Sequence, residues 1–228
     1  MSTLELSKKT TQYLERESLL IAAKYNLKNA IMQLGPAGFL FEEYIAAILR
    51  EYGYRAKVGQ MLKGKCVSHE IDVLAQKDNK HYFIEVKYHN SRGIKSDVQV
   101  AMYMYARFLD IKQAHEEFES PEKIHQAWLI TNTKFTSKAI RYANCMGVRM
   151  TGWRHPKGES LEDLIVKKAL YPVTVLPSVN KFVREQFALE RLMFVRDLLG
   201  YSPEELARKF GLYSKTARNV MKEVYALV

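Results

Sequence analysis

With 228 residues, 47% of them hydrophobic, the chain has the length for one ordinary domain plus a small appendage and ample apolar content for a packed core. It holds no apolar run of about 18 residues and no charged-then-apolar leader, which excludes a membrane span or a secretory signal as sequence readings and favours a soluble, cytoplasmic protein. Two distant cysteines, Cys66 and Cys145, lack metal-ligand spacing and read as free thiols, Cys145 buried; the net charge of +10, spread along the chain, favours a polyanionic partner.

Residues 1–35 carry helical spacing in Tyr13, Leu20, Ala23, Leu27, Ile31 and Leu34, and are expected to pack against the domain that follows. The next helix, from Phe41 to Arg50, has an apolar stripe of Phe41, Tyr44, Ile45, Ile48 and Leu49. At about 100° per residue Glu42 borders that stripe and Glu43 points away, so Glu42 is the one placed to reach an interior site. From Gly59 to Cys66 the spacing copies a nucleotide-binding P-loop. The motif needs Ser or Thr where Cys66 stands and a helix where this segment leads into a strand, so no nucleotide cofactor is expected.

Two strands then flank the turn Asp78-Asn79, namely Glu70-Ile-Asp-Val-Leu74 and Phe83-Ile-Glu-Val-Lys87. A two-residue turn places Asp72 opposite Glu85 and Glu70 opposite Lys87. Alternation puts Ile71, Val73, Ile84 and Val86 on one face and Asp72, Glu85 and Lys87 on the other. Opposed carboxylates with Cβ atoms roughly 4.5 to 5.5 Å apart destabilise a hairpin unless something neutralises them. Mg²⁺, held by one or two carboxylates plus waters and phosphate oxygens, meets that need, with Mn²⁺ as an alternative. The hairpin therefore reads as a phosphodiester-cleaving site; the plainer alternative is a solvated strand face.

Gln99 opens a helical run beyond the lysine strand and is either a polar active-site residue or a helix-surface glutamine. His89 continues the Glu85 and Lys87 face, placed to meet a phosphate or merely to sit at the rim. Among the basic residues around the hairpin, Lys63, Lys65, Arg92 and Lys95 are candidate DNA contacts. If about five such cations meet phosphates, the logarithmic salt slope is roughly −4 to −5.

Four separated blocks resemble the PD-(D/E)XK nuclease superfamily, and within it the Mrr-like restriction endonucleases: Gly38-Phe-Leu-Phe-Glu42, Glu70-Ile-Asp72-Val, Ile84-Glu85-Val-Lys87 and Leu129-Ile-Thr-Asn-Thr-Lys-Phe-Thr136. The resemblance implies an α/β domain at 36–168, a mixed sheet flanked by helices. It implies that Asp72, Glu85 and the carbonyl of Val86 bind the metal, that Glu42 completes the cluster as a second-metal ligand or by holding water, and that Lys87 positions the attacking water and stabilises the phosphate.

Residues 169–228 read as a small all-α domain. Ser202-Pro203-Glu204-Glu205 is a capping box, Gly211 a left-handed helix end, and Ser214 a cap for a last helix carrying Lys215 and Arg218, both candidate DNA contacts. The segment resembles a tandem helix-hairpin-helix domain, with hairpins at Leu176-Pro-Ser-Val179 and Phe210-Gly-Leu-Tyr-Ser214, though Ser178 and Asn180 stand where that family places glycines. A helix-turn-helix and a protein-contact bundle remain alternatives. The function expected is metal-dependent hydrolysis of DNA in restriction or DNA processing, with a homodimer where both strands are cut. The competing readings are a catalytically silent DNA-binding protein and a structure-specific repair nuclease.

Overall fold

The computed structural model describes residues 5, 6, 10, 18–34, 39–91, 93–117 and 123–228. Tyr13 and Arg92 lie outside them. The chain divides into two compact units, Gly35–Leu164 and a second that joins Met1–Leu34 to Ile165–Val228. Helix α1 (Leu19–Met32) belongs to the second.

The larger unit runs α2 (Phe39–Glu51), β1 (Arg55–Lys63), β2 (Ser68–Lys77), β3 (Lys80–Lys87), β4 (Lys95–Ser96), α3 (Val98–Glu117), β5 (Ile124–Thr131), β6 (Lys134–Phe135), α4 (Ser137–Met146) and β7 (Arg149–Thr151), with α5 (Leu161–Lys167) following. Five strands form one mixed sheet in the order β1-β2-β3-β5-β7. The first three are antiparallel because tight turns join them, and β3, β5 and β7 are parallel because helical crossovers do. Asp78 and Asn79 have φ of 51° and 58°, the signature of a type I′ turn, whose twist suits a hairpin. The β2–β3 register, Val73↔Ile84 through Lys77↔Lys80, is the one that turn dictates.

Helices α3 and α4 pack on each other and share a core with the sheet that includes Phe83, Met104, Phe108, Ile111, Leu129, Ala139 and Ala143. Helix α4 buries Ala139 and Ala143 but leaves Cys145 exposed, contrary to the reading of that thiol as buried; both cysteines are free. Helix α2 packs against β1, β2 and β3. Its apolar stripe is buried as its spacing requires, yet Ala46 and Glu43 are buried too, Glu43 to 4% exposure. The expectation that Glu43 points away fails because the helix is enclosed over more of its circumference than a single stripe marks.

In the second unit α1 packs against the 3₁₀ turn Val173–Val175 and against α8 (Ser214–Leu227), and Thr174 Oγ1 donates to the Ala30 carbonyl at 2.7 Å. The amino-terminal helix thus builds the carboxy-terminal helical core, where the sequence placed it on the domain that follows. Leu27 and Ile31 are buried there while Leu20 stays 38% exposed. Helices α6 (Lys181–Leu189) and α7 (Pro203–Phe210) meet through Phe187 and Phe210, edge to face at 5.1 Å. Ser202 and Glu205 form the capping box, and Gly211 ends α7 with φ 62°. The N-cap of α8 is Tyr213, with no side-chain cap bond, so Ser214 is the first helical residue rather than the cap. No helix among the described residues is long and apolar enough to cross a membrane.

Candidate active site

The β2–β3 ladder stops at Val73 and Ile84. One step on, where the turn register sets Asp72 against Glu85, the Val86 N–H donates to Asp72 Oδ2 at 2.7 Å, so a carboxylate takes the place of a backbone acceptor. The β1–β2 pairing skips the same residue, because Gly59 across from it has φ 60°. Beyond this point β3 runs with β5, pairing Glu85 with Leu129, Val86 with Ile130 and Lys87 with Thr131. Glu70 pairs with Met61 of β1, and the expected Glu70–Lys87 cross-strand pair does not form in this ladder.

Asp72, Glu85, Lys87 and Glu42 nevertheless share one electrostatic neighbourhood. Burial, and then the negative charge of Asp72, raises the Glu85 pKa, while Arg107 and Lys87 oppose the rise. Burial likewise raises Asp72 against the pull of the Val86 N–H, Arg107 and Lys87. Glu42, at the start of α2, is pushed up to about 7 by burial, then by Asp72, Glu70, Glu85 and Glu43. The site carries more negative charge than its own cations neutralise.

That imbalance has a sign in stability. A carboxyl raised on folding contributes stability below its unfolded pKa, near 4.5, and the contribution is lost as pH rises through about 7. Glu42→Gln is therefore expected to raise the Tm of the metal-free protein at pH 8 by about 4 °C, corresponding to roughly 1–2 kcal/mol after solvent screening, and to change it little at pH 4.5. Thermal unfolding in EDTA at the two pH values measures this; an equal shift at both excludes the electrostatic account.

Three groups that motif reading overlooked complete the site. Arg107 of α3 donates from Nη1 to Glu85 Oε2 at 2.5 Å and from Nη2 to the Glu70 carbonyl. It lies on the stripe of Met104, Phe108 and Ile111, and an arginine within a core-facing stripe was the available signal. At the end of β5, Thr131 Oγ1 donates to the Lys87 carbonyl at 2.7 Å. Buried Asn132 accepts from the His89 N–H at 2.9 Å and donates to its carbonyl at 2.7 Å. These two side chains hold the backbone on which Lys87 stands.

The other candidates lie as follows. Gln99 has its side chain in solvent in the first turn of α3, its N–H donating to Asp97. The His89 ring pairs with Ser96 Oγ at 3.1 Å, and burial followed by Lys87 lowers its pKa, so a neutral ring committed to Ser96 is favoured over a phosphate contact. Lys63 and Lys95 are exposed, and Lys65 is ion-paired with Glu117 at 3.2 Å. Arg92 falls outside the described residues. In the other unit Lys215 and Arg218 are exposed along α8. Of the two proposed hairpins there, the first gives its Ser178 N–H and Oγ to the Glu223 carboxylate, at 3.0 and 2.6 Å, so an internal acid stands where a phosphate was expected.

A mixed sheet flanked by helices, with carboxylates and a lysine gathered where β2 leaves β3, is the architecture of a restriction-endonuclease-like nuclease domain. The comparisons specify it further: residues 37–153 match the restriction endonuclease family, and the chain belongs to it. Residues 171–228 match the family "AF1548-like, C-terminal", which is not specifically a helix-hairpin-helix family. An uncharacterized protein of Archaeoglobus fulgidus is 38% identical over 184 residues, covering 81% of this chain and 99% of its own. A solved structure, the crystal structure of the protein of unknown function AF1548, is similar with a TM-score of 0.68 and 37% identity, over 83% of this chain and 97% of that one.

Proposed function

We propose that the protein is a metal-dependent endonuclease that hydrolyses DNA phosphodiester bonds, in restriction or in DNA processing. The observation that carries this reading is the exposed Lys87 beside two half-buried carboxylates, Asp72 and Glu85, each held by one oxygen, with no hydrogen bond to the other among the described residues. Among the described residues no three His, Cys, Asp or Glu side chains converge to hold a metal unaided. Two carboxylates, a backbone carbonyl and water nonetheless suit Mg²⁺, and Mn²⁺, better than a metal that needs a closed protein cage. Asp72, Glu85 and the Val86 carbonyl would hold it, and Glu42 would act through water.

When bound, the metal lowers the pKa of its water and polarises the phosphoryl oxygen. Lys87 would orient the attacking water and meet the charge growing on the phosphate. Glu42, near neutrality in its pKa, accepts or returns a proton within the same cluster. Cleavage of methylated and unmethylated plasmid by wild type, Asp72→Ala and Lys87→Ala with Mg²⁺ or Mn²⁺ tests the reading. Equal binding without cutting by all three proteins supports a silent DNA-binding protein instead, and cutting confined to branched or flapped substrates supports a repair nuclease.

The helical unit would hold duplex DNA through α8. Lys215, Arg218 and Lys222 recur at helical spacing, all exposed, below Tyr213, which is 86% exposed. No salt bridge engages these three among the described residues. Replacing all three with alanine is expected to weaken binding in EDTA and flatten the logarithmic salt slope by nearly 3, at about 0.9 per cation. An unchanged slope assigns this face to protein contacts.

A further inference from the structure

Arg107 has a position that no role so far explains. Its Nη1 reaches Glu85 Oε2 while Nη2 reaches the Glu70 carbonyl two residues from Asp72, so one planar group ties together the two strands that carry the carboxylates. The guanidinium carbon also stands 5.5 Å from the ring centres of both Phe83 and Tyr103, which flank it on two elements. Its side chain is 12% exposed and that of Glu85 is 16% exposed, so water competes weakly with the pair. Next to Glu85 on β3, the Val86 N–H performs the same service for Asp72 of β2, taking Oδ2. Asp72 Oδ1 and Glu85 Oε1 have no hydrogen-bond partner among the described residues.

We propose that Arg107 is a positioning residue for the metal-binding carboxylates: its fork fixes the Glu85 carboxylate and the Glu70 backbone in one geometry, so that Glu85 Oε1 and Asp72 Oδ1 converge on a divalent cation before it arrives. The proposal rests on the metal-dependent reading and deepens it. Outer groups that orient metal ligands typically contribute 10–100-fold in affinity. A cation so close to the cluster also repels a metal, so two opposed effects compete and the sign of the mutational result separates them. Geometry predominates here because the pair is fixed at four points and largely shielded, whereas a mere counter-ion needs no fork.

The test is Mn²⁺ binding by titration calorimetry on the full chain without DNA, comparing wild type, Arg107→Ala and Arg107→Lys, with circular dichroism to establish folding. Both variants are expected to bind Mn²⁺ 10–100-fold more weakly than wild type. Arg107→Lys decides the matter, because it keeps the charge and the aliphatic stem but cannot bridge Glu85 and the Glu70 carbonyl together. Duplex binding in EDTA should stay at the wild-type value in both. Binding of Mn²⁺ by Arg107→Ala as tight as wild type or tighter, or wild-type affinity in Arg107→Lys, overturns the proposal and makes Arg107 a counter-ion. If wild type takes up no Mn²⁺, the metal-dependent reading itself fails and carries this inference with it.

Discussion

Lys87→Ala is expected to lower plasmid cleavage at saturating Mg²⁺ by about 10²–10³-fold while leaving duplex binding in EDTA unchanged. The magnitude follows from the work the ammonium would do beside two half-buried carboxylates in the proposed reaction: it would oppose charge that grows only as the phosphate is attacked, so its loss would fall on the rate and not on binding. Asp72→Asn should behave differently. The amide keeps the shape and can still accept the Val86 N–H through its oxygen, but it removes a charge, so the curve of rate against Mg²⁺ concentration moves to higher metal and part of the activity returns there. The two variants thus separate along two axes, one in height and one in position. Cleavage by Lys87→Ala within about threefold of wild type would remove the lysine from the chemistry.

Much of this site is written in short-range sequence, because hairpin geometry is local. Asp78 and Asn79 tolerate positive φ, the turn sets the register, and the register brings Asp72 towards Glu85. Its limit is also local: alternation cannot say where β2 parts from β3, and Asp72 instead captures a backbone N–H. Arg107 lies well outside the hairpin motif, and only its place in an apolar stripe betrays it. Thr131 and Asn132 sit within the Leu129–Thr136 segment yet give no hint that they clamp Lys87 and His89, since that contact joins residues about forty positions apart. The packing of α1 was illegible for a related reason. An amphipathic helix states that it has an apolar face, and nothing in its spacing says which neighbour covers it.

Gly64→Ala is expected to cost about 3 kcal/mol, lowering the Tm of the sheet unit by roughly 6–12 °C. The loop that imitates a P-loop explains why. Its backbone does form an anion cradle, but the anion is internal: Cys66 and Val67 donate their N–H groups to the Asp110 carboxylate at 2.8 and 3.3 Å, and His69 Nε2 lies 2.7 Å from Asp110 Oδ2. The His69 ring and these N–H groups hold the Asp110 carboxyl well below the usual carboxylate range. A Cβ at position 64 would lie 2.0 Å from Asp110 Oδ2 and 2.6 Å from the Val67 carbonyl, so alanine must push the carboxylate off its donors. Asp110 stands one turn beyond Arg107 on α3, and the cradle therefore pins the helix that aims Arg107 at Glu85. Two measurements check the chain of cause. In an Asp110→Ala background Gly64→Ala should cost less, because only the contact with the Val67 carbonyl remains, a non-additivity that a generic loss of glycine flexibility would not produce. Mn²⁺ affinity should fall in Gly64→Ala as it does in Arg107→Ala, because a loosened α3 no longer presents the guanidinium to Glu85. Additive Tm losses with unaltered Mn²⁺ binding would show that the cradle fastens the loop alone and that α3 is held by its core.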